Sequence, residues 1–325
     1  MATEKSAVWS GFWPRLFAYI IDSLVLAVVC YGIGWAAVDT VSSWGSNGRF
    51  IGLILGVLYF GVTASGLGGG RSIGMRLVGL KVTGLNGRPL GLFAALARAL
   101  LLVGPMMLNG WTFTVQDPTL ASILTGVAVV AVFGVSLAQI YLLLFNAPTR
   151  RLVHDLVFGS VVVRAQAKDY EVPKAGAHGI VAGVIVVASL GLAVAGPVLM
   201  QSWMPKITAM VGPQMRVVTA VEALPEVSEA GVEENTSYVY GTSGPPEVTR
   251  TLIVTARVRK WPADENQELA RIGAVAVKSY HFAPGERLLV KLLYGYDTGF
   301  ASYSYTQADT FSTQCTTADI KCLAP

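Results

Sequence analysis

The chain has 325 residues, 53% hydrophobic and only 14% charged, with a formal net charge of +4 and a mean hydropathy of +0.55. Soluble domains are about 25% charged, so the composition excludes an ordinary soluble protein and indicates an integral membrane one. The small basic excess lies in loops beside apolar runs, where it orients helices, and no basic face with interleaved aromatics suggests nucleic acid.

Residues 1–15 form a short polar and aromatic lead in which Trp9, Phe12 and Trp13 suit the headgroup level. The apolar run that follows is too long for the core of a signal peptide, so it reads as an uncleaved first span, from about Leu16 to Val38. Asp22 lies inside it. An ionised carboxylate at that depth costs about 2.5–3.5 kcal/mol on insertion scales, so Asp22 is expected to face a partner or a water-filled cavity. Arg15 lies on the same stripe of the helix but roughly 10 Å away along its axis, so each needs a partner from elsewhere.

A polar loop, Asp39 to Arg49, leads to a second span, Phe50 to Leu67, which Gly68, Gly69 and Gly70 break. Residues 71–92 are basic and turn-rich. There Asn86-Gly87, between Leu80 to Thr83 and Arg88 to Leu90, predicts a β-hairpin. A third apolar segment begins between Leu92 and Ala99 and ends near Trp111; it carries Arg98, Pro105 and Asn109, and either spans or re-enters. The fourth span, Thr119 to Phe145, contains Gln139 and leads to a basic loop with His154 and Asp155. After a linker at 166–178 comes a fifth span at 179–200, whose many small residues allow close helix packing.

Lys and Arg concentrate in the N-terminus and in the loops after spans two and four, which places the N-terminus in the cytoplasm. The expected fold is therefore an α-helical polytopic membrane protein of about five transmembrane helices, followed by a small extracytoplasmic α+β domain at 201–325. That tail reads as strands at MRVVTAVEAL, TSYVYG, TRTLIVTARVRK, ERLLVKLLYGYDTGF and ASYSYTQADTF. One helix, from Glu265 to about Tyr280, is capped by Asp264 with Gln267, and the sheet is expected to be mostly antiparallel. Tyr294, Tyr296, Tyr303 and Tyr305 form either an aromatic binding strip or a packed sheet face. Cys315 and Cys322, in an exported tail, are expected to form a disulfide, whereas Cys30 packs as a small apolar residue.

Three separated blocks, RLFAYIID from Arg15 to Asp22, GRSIGMRLVGLKV with NGRPL between Gly70 and Leu90, and LVHDLVFGSVVV from Leu152 to Val163, together resemble the RDD family of bacterial membrane proteins. That family is named for one arginine and two aspartates, matched here by Arg15, Asp22 and Asp155. Phe158 and Ser160 stand where the family more often has a small residue and Thr. The resemblance covers residues 10–165 and implies membership of the bacterial cytoplasmic membrane. The family is linked with transport of an unidentified ligand, and some members with sodium–proton exchange.

These residues leave two functional readings open. In the first, Asp22 is an intramembrane site that supports ion or small-solute movement, with Arg98 as its best partner from another helix. A clasp between Arg15 and Asp155 at the cytoplasmic boundary ties helix one to the loop after helix four. In the second, the helices are a non-transporting scaffold that presents residues 201–325 to an envelope partner. Five spans leave little protein to line a pathway unless the chain oligomerises. His154 beside Asp155 reads as an interface contact, since neighbours on a helix face different ways. No metal cluster, phosphate loop, dinucleotide fingerprint or nucleophile elbow occurs, so no metal, cofactor or enzymatic role is expected.

Overall fold

The computed structural model describes residues 8–111, 117–168, 170–174, 176–200, 202–240, 246–283 and 285–312. The expected disulfide between Cys315 and Cys322 lies outside the described residues. In chain order the elements are α1 (Phe12–Ala36), α2 (Val38–Ser43), a 3-10 turn (Gly45–Gly48), α3 (Arg49–Ala64), α4 (Ile73–Leu77), β1 (Leu80–Gly84) and α5 (Leu92–Leu108). Then follow α6 (Pro118–Val129), a π-helical turn (Val130–Val135), α7 (Ser136–Phe145), α8 (Val153–Val157), β2 (Ser160–Arg164) and α9 (Ala177–Leu199). The remainder is α10 (Met204–Glu222), β3 (Val227–Val239), β4 (Glu247–Val258), α11 (Glu265–Ser279), β5 (Arg287–Asp297) and β6 (Ser302–Ser312).

The chain divides into two units. One comprises Met1–Gly32, Arg49–Leu199 and Thr298–Ala301, the other Ile33–Gly48, Met200–Asp297 and Ser302–Pro325. The boundary expected at residue 201 is therefore crossed twice, because the loop after the first span belongs with the second unit and the β5–β6 turn with the first.

Among the described residues, four helical stretches are long and apolar enough to cross a membrane: Phe12–Ala36, Gly45–Ala64, Thr119–Phe145 and Ala177–Gly196. The third apolar segment, α5, is a continuous helix through Pro105, but at 17 residues it is only about 25 Å long. The expected hairpin at Asn86-Gly87 forms its turn, with the Gly84 amide donating to the Arg88 carbonyl, but not its second strand. β1 pairs instead with the distant β2, antiparallel, in the register Leu80 to Arg164, Val82 to Val162 and Gly84 to Ser160. The reason is burial: Leu80, Val82 and Val162 share one core with Ala64 and Ala95, to which Arg88-Pro89-Leu90 adds only Leu90. Trp9, expected at the headgroups, is buried against Val161 and Val163 and pairs with Val163 along the edge of β2.

This unit is a repeat with a constant spacing of eighty residues. α1 and α5 begin at Phe12 and Leu92, α4 and α8 span 73–77 and 153–157, and β1 and β2 span 80–84 and 160–164. Gly79 and Gly159, which turn each short helix into its strand, have φ of +71° and +57°. Backbone bonds outside the helices and the sheet ladder come in matching pairs. Arg164 donates to Val8 and Gly84 to Arg88; Ala165 donates to Gly79 and Leu85 to Gly159. Antiparallel pairing centred on Val82 and Val162 is what a local twofold axis through the β1–β2 sheet produces.

The second unit has its own core. Its sheet has the order β3-β4-β5-β6, with β4 and β5 parallel and the other neighbours antiparallel. A parallel pair needs a crossover, which α11 supplies. Asp264 caps α11 by accepting from the Gln267 amide at 3.0 Å, and Leu269, Ile272 and Ala276 line its buried face. The MRVVTAVEAL stretch, expected as a strand, is the last part of α10: Val217 and Val221, four residues apart, are both fully buried, a helical spacing. Two helices rather than one therefore cover this sheet. The tyrosines of β5 and β6 serve packing: Tyr296 is buried beneath Gly34, Trp261 meets the rings of Tyr294 and Tyr305, and Tyr294 donates to Asp39 at 2.5 Å. Burial and the Asp39 carboxylate push the Tyr294 phenol well above its ordinary pKa.

Candidate functional site

Asp22, halfway along α1, is 1% exposed and fully engaged. Tyr59 of α3 donates its hydroxyl to Oδ1 at 2.6 Å, Ser72 donates to Oδ2 at 2.5 Å, and the Gly74 amide donates to Oδ1 at 2.7 Å. Ser72 is also the N-cap of α4, accepting from the Met75 amide. Glycine is needed at position 74 because a Cβ there would collide with the Ala18 carbonyl one turn before Asp22. The carboxylate thus joins α1, α3 and α4 through neutral donors. The expected pairing of Asp22 with Arg98 does not form.

Arg98 pairs with Asp155. Its Nε and Nη2 donate to Asp155 Oδ1 at 3.0 and 2.8 Å, and Ser160 donates to the same oxygen at 2.7 Å. The repeat explains the change of partner: the counterpart of Arg98 in the first half is Ala18, one turn nearer the sheet than Asp22, so the guanidinium sits level with α8. Asp155 also holds the start of α8 by accepting from the amide of its N-cap residue Leu152, the reverse of the bond by which the N-cap Ser72 accepts from Met75 in the first half. Burial opposes its charge, but Arg98, Arg15 and the Ser160 hydroxyl hold the Asp155 carboxyl well below the usual carboxylate range.

Arg15 reaches Asp155 Oδ2 at 3.8 Å, so the two are brought together, but its closer partners are neutral. It donates to the carbonyls of Thr149, Arg150 and Val162 at 2.7, 2.5 and 3.1 Å, and to the Ser10 hydroxyl. A third buried guanidinium, Arg151, donates to the carbonyls of Ser160 and Asp155. The arginines therefore close the loop before α8 as much as they neutralise its aspartate.

His154 is buried in α8 with Nε2 3.7 Å from Asp155 Oδ1, so the two neighbours do approach each other, and with Nδ1 2.7 Å from Gln139 Oε1. Since the Gln139 amide nitrogen donates to the Leu101 carbonyl, its oxygen accepts, and the imidazole hydrogen is assigned to Nδ1. Burial pulls the ring down to a pKa of about 3, with the nearby guanidiniums adding to the shift against the attraction of Asp155. The ring is neutral at physiological pH.

These groups border one cavity of about 520 Å³. Repeat-related residues line it from both halves: Ala18 with Arg98, Asp22 with Leu102, Thr63 with Leu143. It therefore lies between the two halves. α3 packs closely along α5, and equivalence of the halves would pack α1 equally against α6 and α7. Among the described residues it does not; the cavity takes that place, bordered by Tyr19 of α1 and by Gln139 and Ile140 of α7. The π-helical turn, a feature frequent at functional sites, places Val132 on the cavity wall, and Ser136 follows it.

Sequence reasoning singled out Arg15, Asp22, Arg98 and Asp155, all of which are buried here, but missed Tyr59, Ser72, Gly74, Gln139 and Ser160. The signal that could have found several of them is the recurrence of Arg, a five-residue helix and Gly at 71–79 and 151–159.

In comparison with known proteins, residues 9–159 match the model of the RDD family. No curated protein and no solved structure matches the chain.

Proposed function

Since the chain belongs to the RDD family through residues 9–159, we propose that it moves a small solute across the membrane through the cavity between its two repeats. The observation that carries this reading is the position of the cavity between the two repeats, bordered by equivalent residues of both halves. Transporters built from repeats bind their substrates at the repeat interface, where rocking of one half against the other exposes the site to each side. An exchange of cation for proton at Asp22 is less favoured, because three neutral donors already fill that carboxylate and join it to the fold.

The sheet supports the topology that this needs. β1 and β2 share one side, so the path from one to the other, through α5 and α6–α7, crosses the membrane twice or not at all. A spanning α6–α7 then requires that α5 also span. The basic loops support an assignment of this side to the cytoplasm of a bacterial inner membrane. The pairing of the loop after α1 with the chain beyond α9, through Ser42 and Val258, fits five crossings and an extracytoplasmic second unit.

Thiol accessibility tests transport without knowing the solute. With native cysteines replaced by serine, Thr63→Cys and Leu143→Cys should react with a membrane-impermeant thiol reagent applied from either face of sealed vesicles. Reaction from one face only, or from neither, overturns the reading.

A second reading, a scaffold that presents the second unit to an envelope partner, is favoured by the exposed apolar pair Tyr238 and Val248, opposite each other on β3 and β4. Crosslinking from Tyr238 in intact cells should then trap one protein reproducibly; a blank result would count against it.

A further inference from the structure

We infer that the cavity takes an anionic amphiphile, one phosphate or carboxylate head on an apolar chain, with its head on Arg98 and its chain along the walls of α5 and α7. The inference rests on the reading of the cavity as a solute pathway and names the chemistry of what enters it.

Charge gives the first argument. Arg15, Arg98 and Arg151 are each more than nine-tenths buried; Arg15 and Arg98 share one carboxylate, Asp155, and Arg151 meets only the Ser160 and Asp155 carbonyls. The other buried acid, Asp22, is held by neutral donors, and His154 contributes no charge. Burying guanidinium in excess of carboxylate is costly unless an anion joins the cluster.

Hydrogen bonding gives the second. Arg98 is 3% exposed, and its Nε and Nη2 are taken by Asp155 and Ser160, but its Nη1 has no partner among the described residues. Arg98 lines the cavity, so both hydrogens of Nη1 are left for whatever enters it. Guanidinium matches phosphate and carboxylate oxygens better than any other side chain does.

Shape gives the third. Phe60, Leu102, Met106, Ile140 and Leu143 wall the remainder of the space, which falls within the range of about 300–1,000 Å³ usual for small-molecule sites. A free inorganic anion would leave these walls uncovered, and an uncharged lipid would leave Nη1 unpaired.

The test is native mass spectrometry of the full chain released from a neutral detergent. Dodecyl phosphate is added below its micelle-forming concentration, alongside dodecyl phosphocholine and inorganic phosphate. One dodecyl phosphate should be retained per chain, at concentrations at least tenfold below those needed for either comparison compound. Arg98→Lys keeps a cation beside Asp155 but loses the guanidinium fork, and should weaken retention at least tenfold. Leu143→Trp keeps Arg98 but fills the wall, and should weaken it similarly.

Equal retention of dodecyl phosphocholine would remove the acid requirement, and equal retention of inorganic phosphate would remove the chain; either overturns the inference. So does an absence of retention, or retention unchanged in both variants. Thiol reaction from both faces with no dodecyl phosphate bound would sink the ligand chemistry and leave the pathway standing. Bound dodecyl phosphate with one-sided thiol reaction would do the reverse.

Discussion

Val82 and Val162 face each other at the centre of the β1–β2 sheet, and each is its own counterpart's partner, eighty residues away. The same spacing relates the helices on either side, so Arg15, Asp22 and Asp155 acquire distinct roles in a two-part unit. Asp22 fastens the first helix of the first half to its short helix α4. Asp155, through Arg98, does the same in the second half. Arg15 passes from the first half to the loop of the second. The two halves use opposite polarity for one task, with the acid on the long helix in one and on the short helix in the other.

Asp22→Asn keeps the size of the side chain but turns one acceptor into a donor facing the Ser72 or Tyr59 hydroxyl. Loss of one or two charge-assisted hydrogen bonds should cost about 2–4 kcal/mol of stability, at about 1.5–3 each when one partner is charged. Gly74→Ala should weaken the same junction by a different route, since its methyl meets the Ala18 carbonyl and pushes α4 off α1. Thermal unfolding of the purified chain in neutral detergent checks both. An Asp22→Asn chain as stable as native would show that the carboxylate is there for something other than the fold.

Asp155→Asn should be the more damaging change. It leaves Arg98 and Arg15 buried beside a neutral group, and removing one partner of a buried pair costs about 3–5 kcal/mol. The expected outcome is a chain that unfolds at lower temperature than Asp22→Asn, or that fails to accumulate in the membrane. Arg98→Ala should be milder, because Ser160, the Leu152 amide and Arg15 still reach the carboxylate.

His154 makes stability fall on mild acidification. Its folded pKa of about 3 lies below the ordinary 6.5, so between those values the unfolded chain holds a proton that the folded chain does not. Its neutral burial costs nothing above pH 6.5 and destabilises progressively as the pH drops toward 3, by about 1.4 kcal/mol per unit. From pH 7.5 to 5 this amounts to about 2 kcal/mol. His154→Gln retains a hydrogen bond to Gln139 without titrating, and its unfolding temperature should be nearly flat over that range. A native chain equally indifferent to pH would show that the ring is hydrated or already charged.

The membrane class, the helical stretches and the capped helix α11 were legible because each is a local pattern: an apolar run of sufficient length, or Asp264 three residues before Gln267. Asp22 was legible as an anomaly for the same reason. Its partners were not, because Tyr59, Ser72 and Gly74 come from two later segments and none breaks a local rule. The strand opposite β1 was misjudged because Asn86-Gly87 forms its turn whether or not the chain returns to pair, and the partner that buries Leu80 and Val82 lies eighty residues on. In α10, MRVVTAV has a β-branched composition that favours a strand taken alone. The sheet surface under Val217 and Val221 selects a helix instead.

Whether α5 crosses the membrane is decided by the sheet as much as by its length. At 17 residues it is about 25 Å long against a hydrocarbon core of about 30 Å, so length alone favours re-entry. Re-entry would leave β1 and β2 on opposite sides once α6–α7 crossed, and their five-residue pairing forbids that. Spanning with local thinning costs only fractions of a kcal/mol per Å. A cysteine pair at Lys81 and Val163, opposite each other in the register, should therefore crosslink in native membranes. In a chain with its other cysteines replaced, Asn109→Cys, just beyond α5, should react with an impermeant thiol reagent only from the face opposite to Asn86→Cys. Reaction of both from the same face would make α5 a re-entrant hairpin and remove one half of the repeat.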